Sequence, residues 1–132
     1  MPVPDHAATK PFAYALLRVM PRVERGERLN VGVVVYSRQH DFLDLRTHLD
    51  EARLAALDSE LDPGPVRSRL DALRSIVCGE PEGGALAQLP PSERFGWLVA
   101  PSSTMIQPSE VHTGLTDDPA ATLQRLFASL VN

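Results

Sequence analysis

From Phe12 the chain alternates two sets of side chains. Phe12, Tyr14, Leu16 and Arg18 form one set; Ala13, Ala15, Leu17 and Val19 form the other. A period of two is the mark of a β-strand. A turn follows over 23–27, and then Leu29-Asn30-Val31-Gly32-Val33-Val34-Val35-Tyr36 reads as a second strand, rich in the β-branched residues that suit a pleated surface. The polar break Arg38-Gln39-His40-Asp41 separates it from a third strand over 42–46. Three strands joined by short links predict an antiparallel meander. Both sets in the first two strands are largely apolar, so the sheet is expected to be covered on both faces or to curl around its core. The small residues Ala13, Ala15 and Gly32 would let a helix or a ligand approach the backbone closely.

The period then changes. Asp50 has the side chain of an N-cap and opens a short helix through Asp58, with Leu54, Leu57 and Leu61 on one side. Asp62-Pro63-Gly64-Pro65 breaks the pattern, and Val66, Leu70, Leu73 and Val77 mark an amphipathic helix that ends at Cys78-Gly79. The stretch 80–91 reads as a turn-rich connector with one helical turn at 85–88. A short helix is expected over 92–99, and a fourth strand over 103–107. The last helix has Asp118 as N-cap and Pro119 at its first position, where the missing N–H is no loss. Its apolar stripe is Leu123, Leu126, Phe127, Leu130 and Val131. The expectation is therefore an α+β fold: a curved, mostly antiparallel sheet of about four strands packed by three to four helices. Residues 1–10 read as a flexible lead-in and 11–132 as one α+β domain.

Composition narrows the function classes. The 132 residues are 43% apolar and 23% charged, the balance of a globular domain able to bury a core without metal or disulfide. A net charge of −4 argues against a general affinity for nucleic acid or an anionic membrane. No apolar run reaches the ~20 residues of a membrane span, and the first residues lack the order of a signal peptide, so the expected location is the cytoplasm. The single cysteine, Cys78, cannot form an internal disulfide and reads as a small buried residue. Of the 13 basic residues only Lys10 is lysine. That bias, with 12 prolines, suits a GC-rich bacterial genome.

Four groups of residues carry candidate chemistry. Arg18, Arg22, Arg25 and Arg28 cluster on the first hairpin and could grip phosphates, although Glu24 and Glu27 interleave with them. Phe95 and Trp97 would make an interface anchor if exposed and a core pair if buried. The segment 112–119 precedes a helix N-terminus, where an anion is favoured. A polar site there would use Arg94, His112, Thr113 and Asp117, against the simpler reading in which Gly114 turns the chain and Asp118 caps the helix. Ser102, Ser103 and Thr104 are loop hydroxyls with no nucleophile motif around them. His40, Asp41, Asp44 and His48 straddle a turn, a strand and a helix start without metal-ligand spacing, and His6 falls in the lead-in. No metal site, cofactor or catalytic constellation is expected.

Three stretches taken together resemble a known family: FAYALLRVMPRVERGERLNVGVVVYSR over 12–38, ERFGWLVAPSSTMIQPS over 93–109 and VHTGLTDDPAATLQRLF over 111–127. The Asn-Val-Gly-Val strand and the His-Thr-Gly-Leu-Thr segment are its most specific parts. The chain is similar, over nearly its whole length, to the bacterial domain of unknown function 3037 family. The resemblance implies no chemistry. It does imply a neighbour, because members are associated with HipA-like serine/threonine kinases. The leading expectation is a non-catalytic protein-interaction module, an accessory or regulatory partner of such a kinase. Its contact surfaces would be the arginine hairpin with the edge of the second strand, and the Phe95–Trp97 patch. The alternative is a small enzyme or anion binder built on the 112–118 segment, and a third reading is a nucleic-acid-binding regulator.

Overall fold

The computed structural model of the chain describes residues 9–101 and 104–131. Its first strand, β1 (Lys10–Val19), starts inside the stretch expected as a lead-in. His6 lies outside the described residues. A 3-10 turn at Val23–Arg25 leads to β2 (Leu29–Ser37), and β3 (Phe42–Thr47) follows a turn in which Asp41 takes a left-handed φ of 50°. Aspartate tolerates that conformation better than most side chains. The three strands pair antiparallel in sequence order, as the short links predict.

Two strands on the far side of β1 complete the sheet. β4 (Ile106–Pro108) pairs with Leu17, Arg18 and Val19, and β5 (His112–Thr116) pairs with residues 10–14, both antiparallel. The order is β3-β2-β1-β4, with β5 also beside β1. The sheet therefore has five strands rather than about four. The added strand is the segment expected to be a turn before the last helix. Gly114 lies in the middle of β5 opposite Phe12, and a Cβ there would sit 2.8 Å from the Phe12 ring, so glycine serves a close approach here, not a turn.

β4 and β5 are one strand interrupted at Ser109. The Ser109 N–H donates to the Leu16 carbonyl at 2.8 Å, and the Leu16 N–H donates to the Ser109 hydroxyl at 2.8 Å. The hydroxyl in turn donates to the Glu110 carbonyl at 2.8 Å. A side chain thus replaces one rung of the ladder, and a backbone donor that would otherwise be orphaned is satisfied.

Five α-helices are present among the described residues. α1 (Glu51–Leu57) is capped by Asp50 and ends at its C-cap Asp58, and α2 (Pro63–Val77) is capped by Asp62, so Asp62-Pro63-Gly64-Pro65, expected to break the first helix, opens the second instead. A single turn, α3 (Gly84–Ala87), precedes α4 (Pro91–Val99). α5 (Pro119–Leu130) is capped by the Asp118 carboxylate, which accepts from the Ala121 N–H at 3.1 Å.

The helices cover both faces of the sheet. On one face Ala15, Leu17, Val19, Val34 and Leu45 pack against Leu54 of α1, Val66, Leu70, Leu73 and Val77 of α2, and Phe95 and Leu98 of α4. On the other, Phe12, Val33 and Val35 pack against Leu123 of α5 and Val131. This two-sided cover explains why β2 is buried at five successive residues, 31–35. Each fully buried valine contributes about 1.5 kcal/mol or more. Between Leu17 and Arg18 the register with β2 slips from Gly32 to Asn30, leaving Val31 as a bulge. Beyond the bulge, Asn30 turns to the α5 face, where its side-chain amide donates to the Leu130 carbonyl at 3.0 Å and pins the end of the helix.

Candidate interaction surface

The four arginines of the first hairpin divide into two pairs with different surroundings. Arg22 reaches Asp58, the C-cap of α1, at 3.7 Å, and Arg25 pairs with Glu27 at 2.6 Å. Arg18 and Arg28 make no ion pair among the described residues. The Nε of Arg18 is fully enclosed and has no hydrogen-bond partner. Burial, and then the nearby Arg28 charge, hold the Arg18 guanidinium below its usual pKa, while Glu110 acts in the opposite sense. The edge of the second strand, expected as part of this surface, is not an edge: β2 lies between β1 and β3. The open edges belong to β3 and to the β4–β5 line, where Leu115 is 69% exposed.

Phe95 and Trp97 also part company. Phe95 is buried and its ring stacks on Tyr36 with centroids 5.2 Å apart, so it belongs to the core and offers nothing to a partner. Trp97 is half-buried, packed against the same core at one side and lining a cleft at the other. That cleft holds about 230 Å³ between Leu73, Leu98, Ile106, Pro108 and Trp97. A second cleft of about 390 Å³, walled by Leu61, Pro65, Val66, Met105 and Ile106, adjoins it. The two share Arg69, Thr104 and Ile106, so they form one groove along α2. Its floor is apolar and buried at Val66, Leu98 and Ile106; its walls carry exposed Met105 and, at the rim, exposed Arg69. Arg69 makes no ion pair among the described residues.

The residues proposed for a polar site do not converge. Arg94 lies on α4, where its Nε donates to the Leu89 carbonyl at 2.9 Å and its Nη1 to the Val77 carbonyl at 2.6 Å. It is a clamp on the carboxyl end of α2, where unpaired carbonyls favour a cation. The His112 ring lies tilted against Tyr14 with centroids 5.1 Å apart, and Glu110 is 4.0 Å from its Nε2. Thr113 pairs with Ala13, so strand alternation puts it on the opposite face from His112. Asp117 lies at the polar depression before α5, beside Asp118 and Arg125. An acid, a base and an anion clamp spread in this way share no substrate.

The other candidates have structural roles. His40 donates to the Thr116 carbonyl at 2.8 Å, tying the β2–β3 turn to β5. One carboxylate oxygen of Asp44 accepts from the Leu45 N–H at 2.8 Å and from the Cys78 thiol at 3.3 Å. Burial first, and then the Asp44 hydrogen bond and charge, push the half-buried Cys78 thiol up to about 11, away from nucleophilic use. Thr104 donates to the Ile106 carbonyl at 2.7 Å; Ser102 and Ser103 lie outside the described residues. Among the described residues no three His, Cys, Asp or Glu side chains gather as a metal site would, and no helix is long and apolar enough to cross a membrane.

Comparison with known proteins agrees with the stretches singled out above. A family profile described as a protein of unknown function, DUF3037, matches residues 14–131. The chain belongs to the DUF3037 family. No curated protein and no solved structure matches it. Within this DUF3037 protein, sequence reasoning found Trp97 but missed its groove. Met105 and Arg69 meet only through the packing of α2 beside β4, and no local motif announces them. Ser109 was likewise missed, since a serine after a proline carries no sign that it will bridge two strands.

Proposed function

We propose that this DUF3037 protein is a non-catalytic protein-interaction module of the bacterial cytoplasm. Its groove along α2 takes an apolar segment of a protein partner. The carrying observation is the groove itself: an apolar floor, a half-exposed tryptophan at one end, an exposed methionine on the wall and an exposed arginine on the rim. Partly exposed aromatic and methionine side chains around an apolar floor are what interface anchors use, and a groove beside a helix suits a partner helix or extended segment with apolar residues at regular spacing. Arg69 favours a carboxylate in that segment. The partner we propose is a HipA-like serine/threonine kinase, the association that family membership brings, with this protein positioning or restraining it. The reading built on Arg94, His112, Thr113 and Asp117 loses its support because those side chains lie apart.

The test is calorimetric titration of the purified protein into the HipA-like kinase of its own host. Met105→Glu places a charge on the groove wall at an exposed position and should weaken binding by about tenfold or more, the equivalent of about 1.4 kcal/mol. Arg22→Glu with Arg25→Glu, at residues that do not line the groove, should leave it unchanged. Equal affinity for wild type and Met105→Glu would overturn the groove as the contact.

A further inference from the structure

We propose that Arg18 and Arg28 form a second binding site, for the phosphate monoester group of a phosphorylated ligand. The site is independent of the groove. Leu17 and Val19 face α2 and α4, so alternation along β1 turns Arg18 to the opposite face of the sheet. Its cross-strand neighbours there are Asn30 on β2 and Gln107 on β4. Both are uncharged, and their side-chain amides donate elsewhere, to the Leu130 carbonyl and the Thr104 carbonyl. Arg18 as a whole is only half-buried and Arg28 is exposed, which leaves the pair open to a ligand.

The chemistry follows from what the two arginines lack. A buried donor with no acceptor is costly, and the Arg18 Nε is such a donor. Arg28 lies two residues before Asn30, the cross-strand partner of Arg18, and its charge opposes that of Arg18. The structural arginines here are matched by acceptors, Arg22 by Asp58, Arg25 by Glu27 and Arg94 by two backbone carbonyls. Among the described residues the acidic group acting on Arg18 is Glu110, which is 84% exposed and makes no ion pair with it. Two guanidinium groups against one distant carboxylate leave a net positive site. A phosphate monoester carries −1.5 to −2 charges near neutral pH and three acceptor oxygens, which fits two guanidinium forks better than a single carboxylate does.

The experiment measures the melting temperature and the calorimetric binding of the full chain at low ionic strength, with inorganic phosphate and with a phosphoserine peptide as probes. Sodium chloride at matched ionic strength is the control. Phosphate should raise the melting temperature beyond the chloride control, and binding should weaken as salt screens it. A tighter peptide than free phosphate assigns the group to a phosphorylated protein segment; equal affinities assign it to a small phosphorylated molecule. Arg28→Gln, at an exposed position, and Arg18→Met should each weaken phosphate binding by about tenfold or more, and Glu110→Gln should tighten it. Arg18→Met should also melt no lower than wild type without phosphate, since no bond of its Nε is lost. Stabilisation by chloride equal to that by phosphate would show only relief of the Arg18–Arg28 repulsion and would overturn the site, as would unchanged phosphate binding in Arg28→Gln.

Discussion

Replacing Ser109 by alanine removes one hydroxyl from the surface of β1 and should cost more than most single deletions of that size. The hydroxyl accepts from the Leu16 N–H and donates to the Glu110 carbonyl, each at 2.8 Å, and Ser109 is only 7% exposed. Each bond is worth about 0.5–1.5 kcal/mol net, and a backbone donor left without a partner in a half-buried place adds about 1 kcal/mol or more. The expected loss is about 2–3 kcal/mol, a large part of a stability of roughly 5–15 kcal/mol. With a urea m-value of about 1.5–2 kcal/mol/M for a domain of this size, the unfolding midpoint should fall by about 1–2 M with the slope unchanged. Ser109→Thr keeps the oxygen and should recover most of the loss. Amide exchange at Leu16 should quicken selectively in Ser109→Ala. A midpoint shift below about 0.3 M, or a Leu16 amide as protected as before, would refute the idea that this side chain stands in for a rung of the ladder.

Other substitutions probe neighbouring claims. Gly32→Val would place a Cβ 3.2 Å from the Arg46 carbonyl and 3.4 Å from the Leu17 Cβ, between β3 and β1, so denaturant unfolding should show a loss of about 1–3 kcal/mol. Arg94→Ala should cost about 2–3 kcal/mol by removing two charge-assisted bonds to carbonyls, and should leave partner binding untouched in calorimetry. Cys78, whose thiol is raised to about 11, should react with a disulfide reagent at pH 8 far more slowly than in urea-unfolded protein. The same shift has a sign for stability: the folded thiol holds its proton more tightly, so its contribution is complete below pH 9 and is lost as pH rises towards 11. Comparing the alkaline limb of stability in wild type and Cys78→Ala checks this, and coincident limbs would contradict it.

Local signals carried much of the fold. The alternation of β1, the β-branched run of β2 and the caps Asp50 and Asp118 are each written within a few residues, and each appears in the structure where the pattern puts it; of the α5 stripe Leu123 and Val131 are buried, while Leu130 is exposed. β5 was not legible for the opposite reason. His-Thr-Gly-Leu-Thr has a glycine at its centre and few apolar residues, so its local preference is for a loop. It becomes a strand because residues 10–14, about 100 positions earlier, offer it an open edge and because Phe12 fills the space over Gly114. The same limit applied to side chains. The arginine cluster was visible, but which arginines are neutralised depends on Asp58 arriving from the end of α1. Arg94 looked like part of an anion site because its charge could add to that of His112. Its true partners, the Leu89 and Val77 carbonyls, are backbone atoms that no side-chain pattern reveals.

The most direct test of the central claim is affinity capture of the tagged protein from its own host's lysate, read by mass spectrometry, with wild type and Met105→Glu side by side. The account predicts that a HipA-like kinase is recovered near stoichiometry on wild type and is lost on Met105→Glu, with both proteins equally folded. Recovery of the kinase on both, or of no protein on wild type, would contradict an interaction module that works through the groove along α2.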